Sequence, residues 1–163
     1  MRADNGPCCE TGTSSICKLL GWPQTFVGVD GWSGHGSLSN VATVDSVRTL
    51  LATFDAYADR DFDRLADLYA ENVTWGGPEP GPWDCMNRED VFGMFRVRIR
   101  RNREVVFDRI FGTGSKVLLS GHSADSREDW FVTVFTVEEG RIVRAQDYPS
   151  TDAALDALKH SGT

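Results

Sequence analysis

The stretch that decides the fold is VDSVRTLLATFDAYADRDFDRLADLYAENVTW, residues 44–75. Apolar residues recur in its first half at the spacing of one buried helical stripe: Val44, Val47, Leu50, Leu51, Phe54, Tyr57 and Ala58. The polar residues 59–61 break this stripe, and Asp61 suits the N-cap of a second helix that carries Phe62 to Tyr69. Residues 73–75 have the β-branched and aromatic composition of a strand.

The second half of the chain alternates strand-like runs with turn signals. After a Pro/Gly-rich loop, Asn87 is the expected N-cap of a third helix, with Glu89 and Asp90 in the first turn, where acidic groups suit the helix dipole. Four strands are predicted at 104–111, 116–124, 128–137 and 141–148, followed by a short helix at 152–160. Helices first and antiparallel strands afterwards indicate an α+β fold.

Composition narrows the classes of protein. A length of 163 residues suits one domain, and the net charge of -7 argues against nucleic acid or an anionic membrane as partner. No apolar run approaches the ~20 residues of a membrane span, and no secretory signal is recognisable, so we expect a cytoplasmic protein. The four cysteines show no C-x2-C spacing, and neither a metal nor a cofactor is expected.

The first 42 residues differ from the rest. They are rich in glycine and serine and lack sustained periodicity, which predicts a flexible leader before a domain at 43–160. One hypothesis is that translation in the cell begins downstream of this leader. The intact mass of the native protein would decide it.

The run YADRDFDRLADLYAENVTW, residues 57–75, resembles the opening of SnoaL-like domains in the nuclear transport factor 2 superfamily. The resemblance implies a cone-shaped, curved antiparallel sheet wrapped around helices, with a pocket that serves enzymes in some members and binding modules in others. It also implies dimerisation through the open sheet face. The strand at 128–137 fits that expectation because both of its faces are apolar, with Trp130, Val132 and Val134 on one side and Phe131, Phe135 and Val137 on the other. We therefore expect a homodimer.

Asp147 is the first candidate catalytic residue. Strand alternation places it on the same face as Val143 and Ala145, so its carboxyl group is expected to point inward, as suits a general base or acid. The surrounding run GRIVRAQDY resembles the last strand of limonene epoxide hydrolase, in which an aspartate before the tyrosine serves catalysis. The alternative is that Asp147 caps the turn at Pro149 or pairs with an arginine.

His122 is the second candidate, because an imidazole can accept or release a proton near neutral pH. Some polyketide cyclases of the SnoaL type use a His and Asp pair in the cone, and the resemblance lets His122 and Asp147 take those parts. The alternative is a packed or surface histidine.

The loop WGGPEPGPWDCMNREDV, residues 75–91, resembles a segment that recurs in bacterial SnoaL-like proteins. Its prolines are expected to stiffen an aromatic wall at the mouth of the cone. A substrate would then be oriented by four aromatic side chains: Tyr57, Trp75, Trp83 and Phe95. The alternative is that the two tryptophans belong to an ordinary core.

Other enzymes of the superfamily are matched less well. Aligned from Asp61, the catalytic base of ketosteroid isomerase falls on Gly77 and its tyrosine on Thr53. The chemistry of that isomerase is therefore expected to be absent, unless Glu79 substitutes from the loop. The Arg-x-Asp pair of the epoxide hydrolase falls on Gly121 and Ser123. Arginines crowd the end of the third helix, either as an anion site or, in the favoured interpretation, as a solvated helix end: Arg96, Arg98, Arg100, Arg101 and Arg103.

The sequence therefore predicts a protein with a pocket for a small apolar molecule. The favoured function is cofactor-free proton transfer, of the isomerase, cyclase or hydratase type, with Asp147 and His122 moving protons. The competing prediction is a non-catalytic module of the same fold that binds a ligand or a protein, since fold does not determine function.

Overall fold

The computed structural model describes residues 39–101 and 104–160. Most of the predicted leader, residues 1–38, lies outside the described residues, whereas 39–42 are already helical. The described elements, in chain order, are helices α1 (Ser39–Ala58) and α2 (Phe62–Leu68), strand β1 (Tyr69–Gly76), helix α3 (Arg88–Arg100), strands β2 (Val105–Thr113), β3 (Lys116–Ser123), β4 (Ser126–Glu138) and β5 (Arg141–Tyr148), and helix α4 (Thr151–His160).

The five strands form one curved, open sheet in the order β1-β5-β4-β3-β2. The strands β2 to β5 pair antiparallel with their sequence neighbours, as predicted. Strand β1 differs, because it pairs parallel with β5. The chain reaches β5 only after α3 and three further strands, and such a long crossover is what a parallel neighbour requires. The fold is α+β.

Two of the predicted helix caps are confirmed. The Asp61 side chain accepts a hydrogen bond from the Arg64 amide at 3.0 Å, and the Asn87 side chain accepts one from the Asp90 amide at 2.9 Å. The second helix ends earlier than predicted, because Tyr69 is extended (φ -112°, ψ 132°) and opens β1. The pairing of Tyr69 with Ile142 and the burial of its side chain stabilise a strand at this position, although the spacing of the apolar residues favours a helix.

The two faces of the sheet carry different hydrophobic clusters. The inner face packs against α1, α2 and α3, for example through Leu50, Val117 and Phe135. On the outer face, Val132 and Val134 pack with residues of α4 such as Leu158. The prediction that β4 is apolar on both faces is therefore confirmed.

Helix α4 covers only part of the outer face. Phe111 and Trp130, which share that face, are 49% and 50% exposed. No helix within the described parts of the chain is both long and apolar enough to span a membrane.

Candidate functional site

Asp147 lies on the inner face, near the end of β5, and its carboxylate is held by two side chains. The indole Nε1 of Trp75 donates to both oxygens, at 3.2 Å from Oδ1 and 3.1 Å from Oδ2. The hydroxyl of Thr133 donates to Oδ1 at 2.5 Å. These contacts join three adjacent strands, because Trp75 is on β1 and Thr133 on β4. Neither alternative considered for Asp147, a turn cap or an arginine pair, is what the structure shows.

Strand register explains why this carboxylate faces inward. Asp147 pairs with Thr133, which pairs with Leu119, so these three side chains share one face of the sheet. The prediction that Val143 and Ala145 share the inner face with Asp147 is only partly confirmed. A register shift between β4 and β5 leaves Val143 out of the pairing, so Ile142 rather than Val143 is the fully buried neighbour.

The indole of Trp75 is oriented by aromatic packing. Its ring meets Phe95 edge-on at 5.9 Å and Phe135 edge-on at 5.4 Å, measured between ring centroids. The guanidinium carbon of Arg98 lies 5.8 Å from the centroid of the same ring. Trp75 is thus fixed on several sides, which directs its N–H at Asp147.

The loop after β1 is anchored at its far end. Trp75 and Cys85 exchange two backbone hydrogen bonds, of 2.9 and 2.7 Å, and the Asp84 side chain accepts from the Gly81 amide at 2.8 Å. Asp84 also packs over Gly76, where a Cβ would come within 2.6 Å of its Oδ1. The loop is held against the sheet by these contacts, and a larger residue at position 76 would displace the Asp84 side chain.

An open depression of about 450 Å³ lies beside Asp147. Its lining residues are Gly77, Pro78, Glu79, Asp147, Tyr148 and Pro149. Glu79, considered above as a substitute base, is thus a lining residue of the same depression as Asp147.

The four predicted substrate-binding aromatics are not among these lining residues. Trp83 is 92% exposed to solvent, so it does not form a wall of the depression. Phe95 is buried and packs edge-on against half-buried Tyr57, with ring centroids 5.1 Å apart. Trp75 is linked to the depression by its hydrogen bond to Asp147, which is a lining residue.

His122 lies away from Asp147. It pairs with Trp130 and stands three residues along β3 from Leu119, so its side chain points to the outer face. There its Nδ1 lies 3.1 Å from Oδ2 of Asp108. The two predicted proton carriers are on opposite faces of one sheet and do not meet in one cavity, which excludes the proposed His–Asp pair. Period-two alternation could not reveal this, because it gives faces within one strand and not between strands.

Electrostatics around the inner site are dominated by burial and by Arg98. Burial raises the pKa of the Cys85 thiol and of the Tyr57 and Tyr69 phenols, and the charge of Arg98 partly opposes each rise. Tyr69 is also hydrogen-bonded to the Thr53 side chain. These three side chains are therefore neutral near pH 7, and the charge of Arg98 acts on all three. Within the described residues, no cluster of His, Cys, Asp or Glu is arranged to hold a metal ion.

Two residues of this site were missed from sequence. Thr133 is the only polar residue between Phe131 and Phe135 on an apolar face of β4, and that interruption was a usable signal. Arg98 was grouped with the other arginines of α3, and nothing in their spacing distinguishes it. Only the position of Trp75 beneath its guanidinium distinguishes Arg98 from the other arginines.

Comparisons with known proteins agree with this fold. The model of the SnoaL-like domain matches residues 50–145, which is more than half of the chain. A search of curated proteins finds no match.

Solved structures share the fold at low identity. Bal32a, from a soil-derived mobile gene cassette, is 20% identical over 71% of this chain and 97% of its own, with a TM-score of 0.55. A protein of Jannaschia sp. CCS1, provisionally named a SnoaL-like polyketide cyclase, is 14% identical over 78% and 97%, with a TM-score of 0.55. An LEH-like epoxide hydrolase of M. tuberculosis is 20% identical over 71% and 86%, with a TM-score of 0.50.

These identities are low enough that the structural likeness shows the fold alone. The family match and the arrangement of three helices on the inner face of a curved sheet lead to one conclusion. This chain belongs to the SnoaL-like domain family.

Proposed function

We propose that this protein binds a small apolar molecule at the depression beside Asp147 and transfers a proton on it without a cofactor. The observation that carries the proposal is the Asp147 carboxylate, fixed by Trp75 and Thr133 at the edge of an open depression. A carboxylate held by two donors keeps one geometry, which a general base needs.

In the proposed reaction, Asp147 takes a proton from a carbon next to a carbonyl group. The electron pair of the broken C–H bond moves into the carbonyl, which forms an enolate. The protonated carboxyl group, which exchanges its proton with solvent, then returns a proton to the substrate at that carbon or at a conjugated one. The reaction is an isomerisation that needs no further reactant. Glu79 is a second acidic residue in the lining of the depression, and its replacement tests whether its carboxyl group shares the proton.

The test is exchange of carbon-bound hydrogen in heavy water, followed by NMR on a panel of cyclic and aromatic ketones. We expect the native protein to exchange the α-hydrogens of at least one ketone. Asp147→Asn should abolish that exchange, because an amide cannot accept the proton, whereas Glu79→Gln should retain part of it. Exchange that survives Asp147→Asn unchanged would refute the assignment of Asp147.

The competing proposal is a non-catalytic binding module. Its support is the exposed apolar surface of the anchored loop, where Trp83 and Met86 are 92% and 65% exposed. Ketones that bind without any exchange would favour this second function.

A further inference from the structure

Arg98 is set apart from the other arginines of α3 by what its guanidinium contacts. Arg96, two residues earlier, lies over the Phe62 ring at 4.8 Å and within 3.9 Å of a Glu89 oxygen. Arg98 lies over Trp75, and among the described residues no carboxylate is within 4.0 Å of it. Among the described residues, α3 thus carries one arginine paired with a carboxylate, Arg96, and one that lies over the Trp75 ring without such a pair, Arg98.

Two oppositely charged groups flank the same indole. Trp75 directs its N–H at Asp147, and its ring face lies under Arg98. Phe95, one helical turn before Arg98, packs against the same ring and against Tyr57. Arg98 does not line the depression itself, so a ligand meets the cation, the carboxylate and the aromatic surface together where it extends from Asp147 across Trp75.

We propose that Arg98 recognises an anionic group of the ligand, so that the apolar substrate is a carboxylate. The inference rests on the proposed function and adds the substrate class. A planar guanidinium matches a carboxylate through two parallel hydrogen bonds. The carboxylate of Asp147, at the other side of the same indole, disfavours a doubly charged phosphate, because like charges at one site repel.

The half-buried phenol of Tyr57 supports this position for the anion. It lies near the charges of Arg98 and Arg60, both of which oppose the burial-driven rise of its pKa. Its hydroxyl has no hydrogen-bond partner in the described parts of the chain, so it is able to donate to an anion beside Arg98.

The test compares two ligands of nearly identical shape, 2-naphthoate and its neutral amide 2-naphthamide, by isothermal titration calorimetry at pH 7. The native protein should bind the naphthoate about tenfold more tightly or better. Arg98→Gln should remove that preference and leave the affinity for the amide unchanged. Arg98→Lys should restore part of it, because lysine keeps the charge and loses the planar fork.

Arg96→Gln is the matched control, since it removes a charge from the same helix without touching Trp75. It should keep the full preference for the carboxylate. A preference that survives Arg98→Gln, or that Arg96→Gln lowers equally, would overturn the role of Arg98. Equal binding of both ligands to the native protein would overturn this inference alone. Binding of neither ligand would also overturn this inference, whereas the proposed function is decided separately by the exchange of ketone α-hydrogens in heavy water. Because Arg98 is exposed, thermal melts should show every variant folded.

Discussion

The indole N–H of Trp75 spans from β1 to the carboxylate of Asp147 on β5, 3.2 and 3.1 Å from its two oxygens. The two residues are 72 positions apart in the chain and are brought together by the parallel pairing of their strands. The bond links the inner core to the edge of the depression. It makes the position of the candidate base dependent on the packing of one aromatic ring.

The Trp75–Asp147 bond should be measurable by a double-mutant cycle. Trp75→Phe keeps most of the ring packing and removes the donor, and Asp147→Asn removes the charge. A hydrogen bond to a charged group contributes about 1.5–3 kcal/mol, so we expect a coupling of about 1 kcal/mol or more in urea denaturation. As a control, Trp130→Phe with Asp147→Asn should be additive, because Trp130 is on the opposite face. Additive losses for both pairs would contradict the bond.

Two glycines should respond in opposite ways to alanine. A Cβ at Gly121 would lie 2.5 Å from the Val106 carbonyl oxygen and 2.9 Å from Cζ of Phe131, so Gly121→Ala should cost about 1–3 kcal/mol or more. A Cβ at Gly93, in α3, would meet no heavy atom within 4 Å. Gly93→Ala should therefore add about 0.5–1 kcal/mol through helix propensity. Urea denaturation measures both, and equal effects would refute the packing described at Gly121.

Stability should fall in alkali, in part because of Tyr69. Burial raises the pKa of its phenol above the ordinary value of 10.0. Below pH 10 both the folded and the unfolded chain keep the proton, so Tyr69 adds no pH dependence there. Above pH 10 only the unfolded chain releases it, which favours unfolding. Thermal melts at pH 7 and pH 11 should therefore differ less for Tyr69→Phe than for the native protein. An identical difference in both would show that Tyr69 does not carry the effect.

The exposed part of the outer face should mediate a homodimer. Phe111 and Trp130 lie beyond the cover of α4, and apolar surface of this kind commonly packs on a second copy. Light scattering at micromolar concentration should give twice the chain mass. Trp130→Glu should give a monomer, whereas Trp83→Glu, in the more exposed loop after β1, should leave the dimer intact. A native monomer would contradict the prediction.

Local signals in the sequence determined most of the elements. The apolar stripe before Asp61, the caps at Asp61 and Asn87, and the turn residues between strands act within a few positions of the chain. They sufficed for three of the four described helices, for the limits of β2 to β5 within a few residues, and for the inward direction of Asp147. The end of α2 was wrong at Tyr69 because its burial against β5 depends on distant residues.

Pairing between strands decided what local signals could not. The faces of β3 and β5 relative to each other depend on the register of β4 between them, and that register separates His122 from Asp147. The same pairing brings Trp75 and Thr133 to the Asp147 carboxylate. Arg98 differs from Arg96 because it lies over Trp75, whereas Arg96 lies over Phe62. Alternation within a strand is a local consequence of backbone geometry. Contacts between strands far apart in sequence are set by the packing of the whole sheet, which only the tertiary structure contains.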